Sequence, residues 1–234
     1  MSVDLAVSAD VAVRSFEVLS HELHLLLKTA AEFASRDDTL PSINVVHLEV
    51  QNNQLLAVGT DRFVMGVARA SVAGPAEQLP EGFLLDVTVT DVKALLPLLK
   101  VAKRDESSLT VSVTVGKDAL HLLRSDGVAA RLVDADVEFP KWRHLMGNAR
   151  NAQRIGTATG HAVSISPDLL AKFAKAKRAG DFMAIEPNQE SAYRPIVIRV
   201  GTHFIGILMP TRVPDGSSTH PDSVEVRDAW AGVL

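Results

Sequence analysis

At 234 residues, 47% of them hydrophobic, the chain is long enough for one large domain or two small ones with real cores. It has no cysteine, which excludes a disulfide framework, a thiolate metal site and a cysteine nucleophile. A formal net charge of −4 argues against a uniformly basic nucleic-acid binder, so the distribution of charge matters more than its sum.

In chain order, one pattern recurs: a strand, a helix, then three strands. The first unit, 1–73, opens with "VDLAVSA" and continues into a helix expected over Arg14–Ser35. The strand-like runs "INVVHLEV", "QLLAVGT" and "RFVMGVARA" follow. The second unit, 82–140, opens with "FLLDVT", and its helix is expected to start at Thr90-Asp91, a capping residue followed by an acid. Pro97 should kink or shorten that helix. Then come "LTVSVTV", "ALHLLRS" and "VAARLVDADV". "GNARNAQRIGTATG" (147–160) reads as a linker, with the first domain assigned to 1–147 and the linker proper to 148–160. The third unit, 161–212, opens with "HAVSIS"; Ser166 is a candidate cap, with Pro167 at the first helical position. "DFMAIEP", "RPIVIRV" and "HFIGILMP" complete it, and 213–234 reads as a mobile tail. The fold class is α+β, built of repeated strand-helix-three-strand units with antiparallel sheets.

Helical projection gathers the basic residues. Lys172, Lys175 and Arg178 form one stripe on the third helix, opposite Leu169, Leu170 and Phe173. Lys93, Lys100 and Arg104, with Lys103 beside them, form another on the second helix. The first helix adds Lys28, diluted by Glu17 and Glu32. Two basic faces at equivalent places in an acidic protein suit non-specific contact with the phosphates of double-stranded DNA.

Catalytic constellations are not found. "SHELH" sets His21 and His24 three apart, whereas the zincin motif needs four. "VTVGKDA" lacks the rest of a phosphate-binding loop, and no Gly-x-Ser-x-Gly elbow occurs. Asp134, Asp136 and Glu138 alternate along a strand as an acidic solvent-facing edge. The expectation is a protein that is not an enzyme and needs no cofactor or metal. Asp4 and Asp10 stand where a signal peptide needs a basic start, and no apolar run approaches a membrane span. A cytoplasmic protein without membrane contact is expected.

Three segments, taken in order, resemble the bacterial β sliding clamps, the processivity factors of replicative DNA polymerases. These are "TLPSINVVHLEVQNNQLLAVGTDRFVMGVARA", "RLVDADVEFPKWRHLM" and "VSISPDLLAKFAKA…RPIVIRVGTHFIGILMPTR". The resemblance covers roughly 1–146 as one middle-like domain and 160–212 as half of the last domain. It implies a DNA-clamp-like fold. It also implies an apolar pocket that takes linear peptide motifs of replicative polymerase or repair proteins. Carried over, that pocket comprises Ile43, Thr60, Phe63, Val64, Met65, Pro140, His144, Leu145, Tyr193, Met209, Pro210, Thr211 and Arg212. Where the family has Gly-His-Arg after Thr-Asp, this chain has Arg62-Phe63-Val64, and His144 replaces an arginine. A family chain carries six repeat units and two chains close the ring; three units are legible here.

Two functions follow as expectations. One is a clamp-like DNA-tracking platform that recruits partners through the pocket. The other is an interaction-only regulator or decoy that binds clamp-directed peptides without encircling DNA. The third unit, being half of a family domain, should leave a strand edge and apolar surface uncovered. Homo-oligomerisation is expected, as a dimer joined third unit to third unit, unless the tail containing Trp230 folds back over that surface.

Overall fold

The computed structural model describes residues 14–74, 82–152, 163–188, 191 and 193–211. The opening run "VDLAVSA", Arg212 and the tail 213–234 lie outside the described residues.

The first unit begins with strand β1 (Ser15–Leu19), and helix α1 (Ser20–Phe33) follows it. The expected helix start at Arg14 is therefore corrected. Phe16 and Val18 are buried at a spacing of two, a strand period, and only from Ser20 does the three-to-four spacing of Leu23, Leu26, Leu27 and Ala30 take over. Strands β2 (Val45–Gln51), β3 (Gln54–Thr60) and β4 (Val64–Ser71) complete the unit.

The second unit runs β5 (Leu84–Thr88), α2 (Val89–Leu99), β6 (Thr110–Val115), β7 (Ala119–Arg124) and β8 (Ala129–Val133). The helix starts before Thr90 because Thr88 is the cap. Its hydroxyl accepts from the Asp91 backbone N–H at 3.1 Å and donates to the Asp91 carboxylate at 2.8 Å. Pro97 sits in the last turn and the helix stops at Leu99. Beyond β8 the acidic run leaves the strand. Asp134 Oδ1 accepts backbone N–H groups of Asp86 and Asp136, and Asp136 takes a φ of 50°, so Asp134 and Asp136 lie past the strand end, with Asp136 and Glu138 exposed.

Helix α3 (Trp142–Ala152) occupies the start of the expected linker. Trp142, Met146 and Ala149 are buried on its inner side, spaced by four and three residues. The third unit then supplies α4 (Pro167–Ala174), β9 (Met183–Glu186), β10 (Ile196–Val200) and β11 (Phe204–Leu208). Its opening segment, 163–166, carries no assigned strand.

All pairings are antiparallel. One sheet has the order β1-β6-β7-β8; the other runs β5-β2-β3-β4-β11-β10-β9. Units one and two exchange their opening strands, which fuses them into one body. The third unit joins through the β4–β11 ladder, in which Met65 faces Ile207 and Gly66 faces Gly206. The edge of β11 is thus covered within the chain.

The glycines explain the closeness of that seam. A Cβ at Gly206 would lie 2.4 Å from the Met65 carbonyl oxygen, and one at Gly66 would lie 2.7 Å from the Phe33 ring. The space left free holds an aromatic trio. Phe33 meets Phe173 edge-on at 4.9 Å and Phe204 at 5.1 Å, and Phe173 meets Phe204 at 6.0 Å. Each well-placed pair contributes about 0.5–1.5 kcal/mol beyond area burial. The main core lies between the helices α1, α2 and α4 and the sheets. A second core lies on the other face of the long sheet, where α3 packs Trp142, Met146 and Ala149 on Val58, Met65, Val67, Val197 and Ile207. Among the described residues, no helix is long and apolar enough to cross a membrane.

Candidate functional site

The turn between β3 and β4 is fixed before any ligand arrives. Thr60 is buried and its hydroxyl donates to the Val64 carbonyl at 2.8 Å. Asp61 Oδ1 accepts the backbone N–H groups of Phe63 at 3.0 Å and Val64 at 2.9 Å. Arg62, between them, adopts a φ of 80°, a left-handed conformation that this hydrogen-bonded loop holds in place. The turn therefore presents Phe63 outward, 54% exposed, with the Arg62 guanidinium 5.9 Å from its ring. Met209, just past β11, donates its N–H to the Phe63 carbonyl at 2.8 Å, which ties the end of the third unit to this turn.

A cleft of about 510 Å³ opens beside it. Ile43, Val64, Met65 and Ile207 form its apolar floor, buried or nearly so. Pro140, Leu145, Asn148 and Ala149 make the wall on the α3 side. Asn188, Arg194 and Pro195 approach from the loop before β10, while Phe63 and Met209 stand at the mouth. Arg62 and Arg194 are the two cationic residues of the lining.

Of the pocket residues inferred from sequence, the fold brings Ile43, Thr60, Phe63, Val64, Met65, Pro140, Leu145 and Met209 to this one cleft. His144, Tyr193, Pro210 and Thr211 are not part of its lining, and Arg212 lies outside the described residues. His144 instead contacts Asn148 at 3.0 Å one helical turn along, and Pro210 is buried beneath the strand end. Sequence reading missed Arg62, Asn148, Ala149, Asn188, Arg194, Pro195 and Ile207. The spacing Trp142, Met146, Ala149 was the signal for α3, and it would have brought Asn148 and Ala149 with it.

The basic residues divide into two groups. The expected stripe does not lie on one helix, because α4 ends at Ala174 and Lys175 and Arg178 follow it; the three residues form a seam rather than a solvent face. Lys172 pairs with Asp61 at 2.5 Å, Lys175 with Glu32 at 2.8 Å, and Arg178 grips both oxygens of Glu22 at 3.0 and 2.8 Å. Three cations are thus matched by three carboxylates of the first unit. On the other helices Lys28, Lys93, Lys100, Lys103 and Arg104 are exposed. They do not form one helical face, because α2 ends at Leu99 and Lys103 and Arg104 lie in a separate short 3-10 turn, Lys103–Asp105. His24, half-buried where α1 meets α2, has its pKa lowered, first by burial and then by Lys28, His21 and Lys100 nearby.

No family model matches the chain. Its fold, by contrast, matches solved bacterial clamps. A ligand-bound DNA polymerase sliding clamp from Pseudomonas aeruginosa superposes with a TM-score of 0.65 at 13% identity, over 86% of this chain and 66% of that one. The DNA polymerase III β subunit of Thermotoga maritima gives 0.63 at 16% identity, over 92% and 70%. A Pseudomonas aeruginosa clamp bound to griselimycin gives 0.66 at 11%, over 91% and 68%. The chain spans about two thirds of the length of the clamps it matches. These two interlocked units, with a third zipped to their long sheet, carry the fold of the bacterial β sliding clamps.

Proposed function

We propose that the chain is a clamp-like platform that seats short linear peptides of replicative polymerase or repair proteins in the cleft between Phe63, Leu145 and Met209. One observation carries this reading: a preorganised apolar floor at the junction of two units, flanked by a deformable methionine, an exposed phenylalanine and two arginines. Such a groove fits a peptide with large apolar side chains at one end and polar or acidic groups beside them. The resemblance of the segments around it to clamp pocket segments, and the shared fold, support the same assignment. The chemistry needed is binding alone; no nucleophile or general base is invoked.

The platform's second contact is non-specific, through Lys28, Lys93, Lys100, Lys103 and Arg104 to the phosphates of duplex DNA. The α4 residues are committed to the first unit and contribute little to that contact. This neutralisation favours, as a second reading, an interaction-only module that binds clamp-directed peptides without DNA.

Fluorescence anisotropy separates the two. A labelled peptide containing Gln and a C-terminal pair of large apolar residues should bind with micromolar affinity, roughly −8 kcal/mol. Met209→Ala and Phe63→Asp should each weaken it at least tenfold, about 1.4 kcal/mol. Unchanged affinity in both variants would place the peptide elsewhere. Salt-sensitive duplex binding that is lost in Lys93→Glu/Lys100→Glu/Lys103→Glu supports the platform; its absence in the wild type leaves the interaction-only module.

A further inference from the structure

The exchange of opening strands between the first two units follows a rule that the third unit also obeys, but among the described residues it does so without a partner. Glu17 in β1 is three residues before α1, and Asp86 in β5 is three before α2. Each lies against the end of its own unit's last strand: Glu17 exchanges backbone hydrogen bonds of 2.7 and 2.8 Å with Ala73, and the Asp86 carbonyl accepts from Ala135 N–H at 2.7 Å. The outer side of each strand then pairs with the other unit, Glu17 opposite Ser112 and Asp86 opposite His47. Ser164 is three residues before α4, and its carbonyl accepts from Thr211 N–H at 2.8 Å. Residues 163–166 therefore stand in the place of an opening strand.

The acceptor is equally definite. Six residues before Ala73, Ala135 and Thr211 come Val67, Ala129 and Ile205. Crossing each sheet from these residues gives Val67–Val58–His47, Ala129–Leu123–Ser112 and Ile205–Arg199–Ala184. The first two rows end on the residues that face Asp86 and Glu17. The third ends on Ala184 in β9, and among the described residues no strand pairs with the outer edge of β9. Within one chain the two cannot meet, because 163–166 lies at the end of β11 and β10 intervenes.

We propose that two copies of this chain join through their third units about a two-fold axis, residues 163–166 of each adding antiparallel to β9 of the other. The register is Val163 opposite Ile185, Ser164 opposite Ala184 and Ile165 opposite Met183. A second copy is the fitting occupant because each chain offers one donor segment and one acceptor edge, so a single two-fold axis satisfies both. Burial agrees. Ile185 is 46% and Met183 36% exposed, whereas their counterparts Leu48, Val46, Val113 and Val111 are at most 1%. Phe182, beside them, is 89% exposed. Ala171 and Ala174, at the positions of His24 and Leu96 where α1 meets α2, are exposed small residues over which a second α4 can close. The pairing rests on strand register and is independent of the peptide cleft.

The test uses the full chain, whose lack of cysteine makes introduced thiols unique. Glu17 turns both its backbone groups toward Ala73, so it and Ser112 form a non-hydrogen-bonded pair with close side chains. Ser164 and Ala184 should meet in the same way, within disulfide reach. A mixture of Ser164→Cys and Ala184→Cys chains should give a covalent heterodimer on mild oxidation, and neither variant alone should. Sedimentation should show a wild-type dimer, and Ile185→Lys should raise its dissociation midpoint at least tenfold while leaving the far-ultraviolet circular dichroism unchanged. A monomeric wild type, a dimer indifferent to Ile185→Lys, or a mixture that does not cross-link overturns the proposal.

Discussion

Reversing Lys172, Lys175 and Arg178 to glutamate tests whether α4 is a seam or a DNA-facing helix. The side chains of Lys172 and Asp61 are 24% and 16% exposed, those of Arg178 and Glu22 29% and 27%, while Lys175 is half exposed at 51%. Exposed pairs contribute about 0.2–1 kcal/mol each, and the first two, being partly shielded and in one case bidentate, belong near the top of that range. The three together are worth about 2 kcal/mol. Reversal also sets like charges against Asp61, Glu32 and Glu22, so the expected loss is about 3–4 kcal/mol. Native domains are stable by only about 5–15 kcal/mol, so the urea midpoint followed by tryptophan fluorescence should fall visibly. The deficit should shrink in about 1 M salt. Pairing Arg178→Glu with Glu22→Arg should restore part of it. A triple variant as stable as the wild type that has lost all duplex binding would refute the seam and restore α4 as a DNA-contacting surface.

Phe173→Ala should cost about 3–5 kcal/mol, because the ring is fully buried against Phe33 and Phe204; a loss under about 1 kcal/mol would mean that α4 does not lock the third unit. His24 carries a pH dependence. Its native pKa lies below the ordinary 6.5, so the unfolded chain binds more protons; stability is full above 6.5 and falls as the pH drops through the lowered native value. His24→Gln should flatten that part of the stability–pH curve, and an unchanged slope would assign the dependence to other groups.

The repeat is legible because strands and helices alternate with clear period changes, and ten of the eleven strands among the described residues coincide with runs read from sequence, two of them extending one residue past the run. The exception, β1, was read as helix because "SFEVLSHELHLLL" is apolar at both spacings, and only the pairing of Phe16 and Val18 with β6 decides for the strand. Helix α3 is masked in the sequence by its polar and small residues, and only the spacing of Trp142, Met146 and Ala149 announces it. Most cleft residues on β3, β4 and the turn between them are legible in the sequence, as is Leu145, whereas Ile207 on β11, Asn148 and Ala149 on α3, and Asn188, Arg194 and Pro195 before β10 are not. Lys172, Lys175 and Arg178 are legible as a basic cluster but not as a stripe on one helix, since α4 ends at Ala174 and Arg178 lies beyond it. Their partners Asp61, Glu32 and Glu22 lie more than a hundred residues away and no local pattern announces them.

Asp61 links the seam to the cleft. One carboxylate oxygen holds the Phe63 and Val64 N–H groups, which shape the cleft's mouth, and the other receives Lys172 from α4. The cleft also needs β11 zipped to β4, because Met65 and Ile207 are ladder partners and both are in its floor. Docking of the third unit and formation of the cleft are therefore one event, with Asp61 on both sides of it. Asp61→Asn retains an oxygen for the turn and weakens the tie to Lys172, so it should cost about 1 kcal/mol in urea unfolding and reduce peptide affinity only a few-fold. Asp61→Ala removes the turn's acceptor as well, leaving two N–H groups without it at about 1–3 kcal/mol, and should reduce peptide affinity at least tenfold. The comparison is made by calorimetric titration of the same peptide into both variants. Equal and undiminished affinity would show that the mouth of the cleft holds its shape without Asp61 and would break the proposed link.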